Sequence, residues 1–338
     1  MSMYDDVYIR ANWGDTGEMP VKDGGWTCSP DIIPNGPNLL PDPVKTLTET
    51  WDGPDLGKET VLQQMNYFYV RGKNLFDGER KGTFELYYCP ENLFLFPSMW
   101  RNNRIETSDG KDSLSVIAKS KGDILVPNQP FRFQPMSSIH NCLICRVITE
   151  GHPNPLPGDG EITGMTELAN YILDHPNMAW RNVALVQRDI PTFVRDFNLD
   201  MGDDEGRVHM YLECKNVKGG TVAFSCGTPI PSGPDQGKVI ELKPAVVPQE
   251  EISLGSITYT IPANFVTRVS YSYWAQPPIQ KDWSVDFKAI LLQSSKDKLY
   301  HRAQPLSAFG LKDLYDDKGG IEKGIAVGSI STQGKAQV

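Results

Sequence analysis

The 338-residue chain has no apolar run approaching 18 residues, so no transmembrane helix is expected. Its start, MSMYDDVYIRANW, has acids where a secretory signal needs a basic start and an apolar stretch. Synthesis in the cytosol is therefore the expectation, with export by a signal-less route left open. Basic clusters are also missing. Against 33 Lys and Arg stand 42 Asp and Glu, a net charge of −9 that repels phosphate backbones and anionic lipid. A nucleic-acid partner is excluded on that ground. No G-x-S-x-G elbow, G-x-x-x-x-G-K-[ST] loop, G-x-G-x-x-G turn or H-E-x-x-H pair occurs. With five histidines (140, 152, 175, 209 and 301), no nucleophile–base pair can be named. The expectation is no catalytic residue, no metal and no cofactor.

Cysteine is sparse as well: 28, 89, 142, 145, 214 and 226. In a reducing compartment these are expected as free thiols. Cys142 and Cys145 form a C-x-x-C, but HNCLICRVI reads as a strand, where positions three apart face opposite sides. Cys214 and Cys226 sit on two arms of an expected hairpin.

What the chain has in plenty is Pro (26) and Gly (30), which suits many short strands joined by turns. An internal echo organises these strands. YVRGKNLFDGERKGTFELYYC (69–89) and YLECKNVKGGTVAFSC (211–226) both run from Tyr through Lys-Asn and Gly-Thr to Cys. This reads as one hairpin used twice, in two copies of a β-rich domain. In the first copy Phe84, Leu86 and Tyr88 share one face, and Glu85 and Tyr87 take the other. Further strands are expected at 114–118, 123–126, 130–133 and 142–149. A second set is expected at 192–199, 207–215, 221–226, 238–246, 252–261, 266–275 and 284–293. Met165–Asp174 reads as a helix capped by Thr163 or Thr166, with Leu168, Tyr171 and Ile172 on its apolar face.

The domain map follows: a first sandwich over 1–151, a linker over 152–163 (HPNPLPGDG carries three prolines), a second sandwich over 164–303 and a tail over 304–338. In the tail, Leu311–Tyr315 reads as a short helix. KGGIEKGIAVGSISTQGKAQV is too small and Gly-rich to order by itself, so it is flexible or orders on a neighbour. Trp26 and Trp180 are each expected at the centre of a sandwich.

Candidate sites come from the residues left over. Ile325, Ala326 and Val327 of the tail, with Phe94, Phe96 and Trp100 of the apolar crossing, are the candidates for binding a protein partner. Tyr271, Tyr273 and Trp274 are the carbohydrate alternative, because aromatic rings stack on sugars. His152 and His175 each open a His-Pro-Asn tripeptide; turn chemistry explains them more simply than a shared metal or acid–base role. The acidic loop Asp200, Asp203, Asp204 and Glu205 reads as solvated, with Ca²⁺ binding left open. Asp313, Asp316 and Asp317 read the same way.

WTCSPDI (26–32), NYFYVRGKN (66–74) and GTFELYY (82–88), echoed by AWRNV (179–183) and YLECKN (211–216), resemble bacterial immunoglobulin-like domains of the CARDB and adhesion type. The resemblance implies two tandem immunoglobulin-like β-sandwiches and a structural or binding role without catalysis. It supplies no ligand residues. The functional expectation is a non-enzymatic interaction module acting on a protein partner or as a homo-oligomer, with a place as an assembly or cargo component of a bacterial secretion or contractile apparatus left open. Carbohydrate binding, with a glycan as ligand, and a secreted toxin or effector role are the alternatives.

Overall fold

Period-two alternation gives each long strand two distinct faces, and these faces build two pairs of layers. The computed structural model describes residues 2–21, 25–90, 96–136, 141–183, 185–186, 192–276 and 282–334. In the first pair, Met178–Val183, Asn141–Ile148, Arg80–Pro90 and Leu114–Ala118 form an antiparallel sheet in that order. Two three-stranded sheets cover it. One orders Ile124–Leu125, Gly72–Asn74 and Val7–Tyr8; the other orders Phe131–Phe133, Asn66–Val70 and Ile32–Pro34. Phe68 and Val70 meet Phe84, Leu86, Leu143 and Val147 in the core between them.

The second pair sets a seven-stranded sheet against a four-stranded one. The larger sheet runs Glu251–Ile261, Gly206–Lys215, Trp283–Gln293, Lys323–Gly334, Leu185–Val186 and Thr60–Val61, with Gln304–Pro305 paired to Lys323–Gly334. The smaller runs Thr192–Asp200, Val266–Trp274, Thr221–Cys226 and Glu241–Val246. Phe287 is their hub, its ring centroid 4.8 Å from Phe197 and 5.3 Å from Phe224. The chain is thus all-β, and the layers are those expected of two tandem β-sandwiches.

The expected helix spans Met165–Asp174 (α3), after a helix at Pro43–Glu49 (α1) and a single turn at Pro97–Trp100 (α2). Met165, Leu168, Ala169, Ile172 and Leu173 are the buried stripe of α3. Neither threonine caps it. Gly164 is the N-cap, and the carboxylate of Asp204 accepts the N–H of Thr166 at 2.8 Å. A Cβ at position 164 would lie 2.7 Å from that carboxylate, so glycine lets the acid reach.

Several expectations need correction. The 69–89 echo is not a hairpin: Asn66–Val70 pairs with Ile32–Pro34 and Phe131–Phe133, while Arg80–Pro90 pairs in the opposite layer. In the second copy Gly206–Lys215 and Thr221–Cys226 likewise lie in facing sheets, so Cys214 and Cys226 are not opposed across a ladder. Alternation identifies a strand but not its partner; both echoes are arches that cross the sandwich.

The boundary at 152–163 also fails to separate the sheets, because Met178–Val183 pairs with Asn141–Ile148 across it. The segment expected as a tail is mostly framework. Lys323–Gly334 pairs along its length with Trp283–Gln293, and Ile325, Val327 and Ile330 are buried. The segment as a whole is weakly apolar, but its register in the sheet buries these three side chains. Leu311–Tyr315 is not helical; a 3-10 turn stands earlier, at Leu306–Phe309.

A second core joins the two sandwiches. The back face of the first four-stranded sheet carries Tyr87, Cys89, Cys142, Ile144 and Trp180, and these pack with α3 and the second sandwich. Trp26 and Trp180 do not fill separate centres: they meet edge to face, centroids 4.5 Å apart, in this junction. Cys142 belongs to the junction core and Cys145 to the first sandwich core, so the C-x-x-C does point both ways.

Candidate binding cleft

The candidates from sequence are largely structural. Tyr271 and Tyr273 are buried between the sheets, and the Tyr271 hydroxyl lies 2.6 Å from that of Thr332. Trp274 alone of the three is on the surface, 40 % exposed, so no aromatic platform for a sugar exists there. Trp100 is buried edge-on against Tyr87, and Phe96 packs partly buried beside it. Phe94 lies outside the described residues. Ile325 and Val327 are buried as above, and Ala326 is half-buried in the same strand.

The structure instead unites the two His-Pro-Asn tripeptides. His152 and His175 line one cleft of about 560 Å³ with Tyr4, Tyr171 and a run of prolines. The loop after Asn141–Ile148 supplies His152, and α3 ends on His175 as its C-cap. Tyr4 arrives from the N-terminal segment, 148 positions from His152 by no local pattern. Each imidazole lies against a tyrosine ring. His152 is 4.8 Å from Tyr4, and His175 stacks on Tyr171 at 4.0 Å.

Both imidazoles are anchored through the same ring nitrogen. His152 Nδ1 faces the Asp6 carboxylate at 2.9 Å, and His175 Nδ1 faces the Tyr171 carbonyl at 2.7 Å. Each oxygen can only accept, so each Nδ1 carries the proton and donates it. Asp6 is buried, and it also accepts from the Thr149 hydroxyl at 2.5 Å and the Val7 N–H at 2.8 Å. This web fixes the His152 ring.

The rest of the lining is poor in donors. Pro153, Pro155, Pro157 and Pro176 have no N–H. Glu161 accepts the Gly158 N–H and Asp174 accepts from Arg302, so neither acid is bare. Burial, then the nearby Asp6 and Asp5, pushes the Tyr4 phenol well above its ordinary range. Burial, followed by Glu161, pushes Tyr171 up to about 12. Both remain neutral hydroxyls at physiological pH. The Tyr4 hydroxyl has no partner among the described residues. Among the described residues no Ser, Thr, Cys or Lys side chain lines the cleft.

No protein-family model matches the chain, so the CARDB likeness remains a resemblance, and no curated protein matches it. Solved structures overlap it only shallowly. Red sea bream transglutaminase overlaps at 9 % identity and a TM-score of 0.20, over 69 % of this chain and 28 % of its own. The CupB6 tip adhesin from Pseudomonas aeruginosa overlaps at 8 % and 0.22, over 80 % of this chain and 88 % of that one. The collagen adhesin from S. aureus overlaps at 7 % and 0.20, over 83 % and 93 %. Overlaps this shallow carry no argument about what the chain does.

Proposed function

We propose that this protein is a non-enzymatic interaction module whose two-histidine cleft takes an extended segment of a partner polypeptide. The observation that carries the reading is the pair of oriented imidazoles facing one cleft, each anchored through its Nδ1. A cleft rich in acceptors and in proline faces suits a ligand that brings N–H donors on an extended backbone. The tyrosine rings and prolines supply apolar contact.

The test is selection of a displayed library of random linear peptides on the full chain, followed by affinity measurement on H152A/H175A. Two hydrogen bonds at about 0.5–1.5 kcal/mol each correspond to a loss of about tenfold or more. Enriched peptides that bind the double variant as tightly as the parent, or no enrichment at all, would sink the reading. A second copy of the chain is one possible donor of the segment, and analytical ultracentrifugation of parent and double variant reads that case.

A further inference from the structure

The outer face of the four-stranded sheet in the second sandwich is apolar at one end. Side chains alternate between the core and this face, and the register aligns the outward ones in rows. Thr192, Trp274, Thr221 and Val246 form one row across all four strands. Val194, Ser272 and Ala223 form the next. None of these seven residues is charged. Trp274 is 40 % exposed, Val194 55 % and Val246 62 %. An antiparallel sheet with one solvated face ordinarily puts polar residues on that face, so an apolar cluster there marks an interaction surface.

The outer face of the larger sheet is the contrast. There Leu306, Phe309, Leu311 and Leu314 close over Tyr211 and Ile290. The chain covers that apolar face with its own segment and leaves the face around Trp274 exposed.

Charge lies farther along the same face. Asp196, Ser270, Ser225 and Glu241 share a row, and Arg268, opposite Asn198, engages Asp196 at 2.8 Å. Lys243 stands in the bulge between the partners of Val222 and Phe224.

We propose that this face is the interface between two copies of the chain, packed sheet on sheet about a two-fold axis parallel to the strands. Such an axis keeps the rows level. It lays Thr192–Asp200 over Glu241–Val246 of the second copy, and Val266–Trp274 over its Thr221–Cys226. Trp274 then covers Thr221 of the second copy, and Thr192 covers its Val246. Glu241 of the second copy comes over the Arg268–Asp196 pair, so that one guanidinium serves two acids. Lys243 of the second copy comes beside Val194, within side-chain reach of Asp196. Two cations and two anions thus meet on each side of the axis, although each copy carries a net charge of −9. With strands ~4.8 Å apart and ~3.3 Å per residue, the face measures ~480 Å² on each copy, and the two together approach the ~1,000 Å² of a small specific interface. The expected dimer is therefore a weak one, with micromolar affinity.

Sedimentation equilibrium of the full chain at micromolar concentrations is the test. Val194→Lys sets a cation against Lys243 of the second copy, Glu241→Lys sets one against its Arg268, and Trp274→Ala removes the central ring. Ile117→Lys, the same kind of change at an exposed position of the first sandwich, is the control. The expected result is a dimer whose dissociation constant rises about tenfold or more in V194K, E241K and W274A and is unchanged in I117K. H152A/H175A should leave it unchanged too, which separates this face from the two-histidine cleft. Val194 and Glu241 are exposed, so their variants decide even where W274A disturbs the fold. A monomer at every concentration, a dimer as tight in V194K and E241K as in the parent, or equal weakening by I117K would overturn the proposal. So would a dimer lost in H152A/H175A and retained in V194K.

Discussion

At the scale of single residues, two buried carboxylates show opposite solutions to desolvation. Asp31, fully buried, bridges the guanidinium groups of Arg10 and Arg71 at 2.6 and 2.8 Å, and Arg10 lies 3.8 Å over the Trp51 ring. Asp31→Asn leaves two buried cations without their anion. The expected loss is about 3–5 kcal/mol in urea unfolding, and an unchanged midpoint would refute the assignment. Asp286 has no guanidinium partner among the described residues. Glu213 stands opposite it in the ladder, and the one nearby cation, Lys288, is engaged by Glu213 at 2.6 Å. Burial raises the Asp286 carboxyl to about 6, with the Glu213 charge acting in the same direction. The folded state then holds a proton that the unfolded state releases between about pH 4 and pH 6, so Asp286 makes stability fall as pH rises through that window. Asp286→Asn should remove the fall and gain about 3 kcal/mol at pH 7 while changing little at pH 4. An unchanged pH profile of melting would contradict this. The tripeptides His152-Pro-Asn and His175-Pro-Asn were visible in sequence as a pair. Asp6 and Tyr4, which orient and pack His152, were not, because no local periodicity links the N-terminal segment to that loop.

At the scale of elements, strand bounds were legible and strand partners were not. Leu114–Ala118, Thr221–Cys226 and α3 fall where alternation and the helical period put them. Pairing depends on which apolar faces meet at a distance, so Tyr69 and Cys89 could be read as arms of one hairpin when they belong to facing layers. The strand Lys323–Gly334 is the clearest case. Its glycines and small residues suggested flexibility, yet its register against Trp283–Gln293 buries Ile325, Val327 and Ile330. At about 1.5–3 kcal/mol for each side chain, these three rival the whole net stability of a typical domain. Truncation after Glu322 should therefore abolish cooperative thermal unfolding. A truncated chain that melts near the parent temperature would return the segment to the status of a tail.

At the scale of the whole molecule, the two sandwiches are joined by a core and not by a linker. The first four-stranded sheet is apolar on both faces: Phe84 and Leu86 look into its own sandwich, and Tyr87 and Cys89 look toward α3 and Trp26. That arrangement places the loop carrying His152 beside the end of α3 carrying His175, and so makes the cleft. The central claim is that these two imidazoles act together on one bound segment. Its most direct measurement is the titration of a selected peptide into protein labelled with ¹⁵N at histidine, read by the Nε2 resonances. The account predicts that the His152 and His175 resonances shift together at one affinity. His209, held by Thr258 at 2.7 Å on another sheet face, should remain still. Peptide binding that leaves His152 and His175 unmoved, or that moves only one of them, would contradict it.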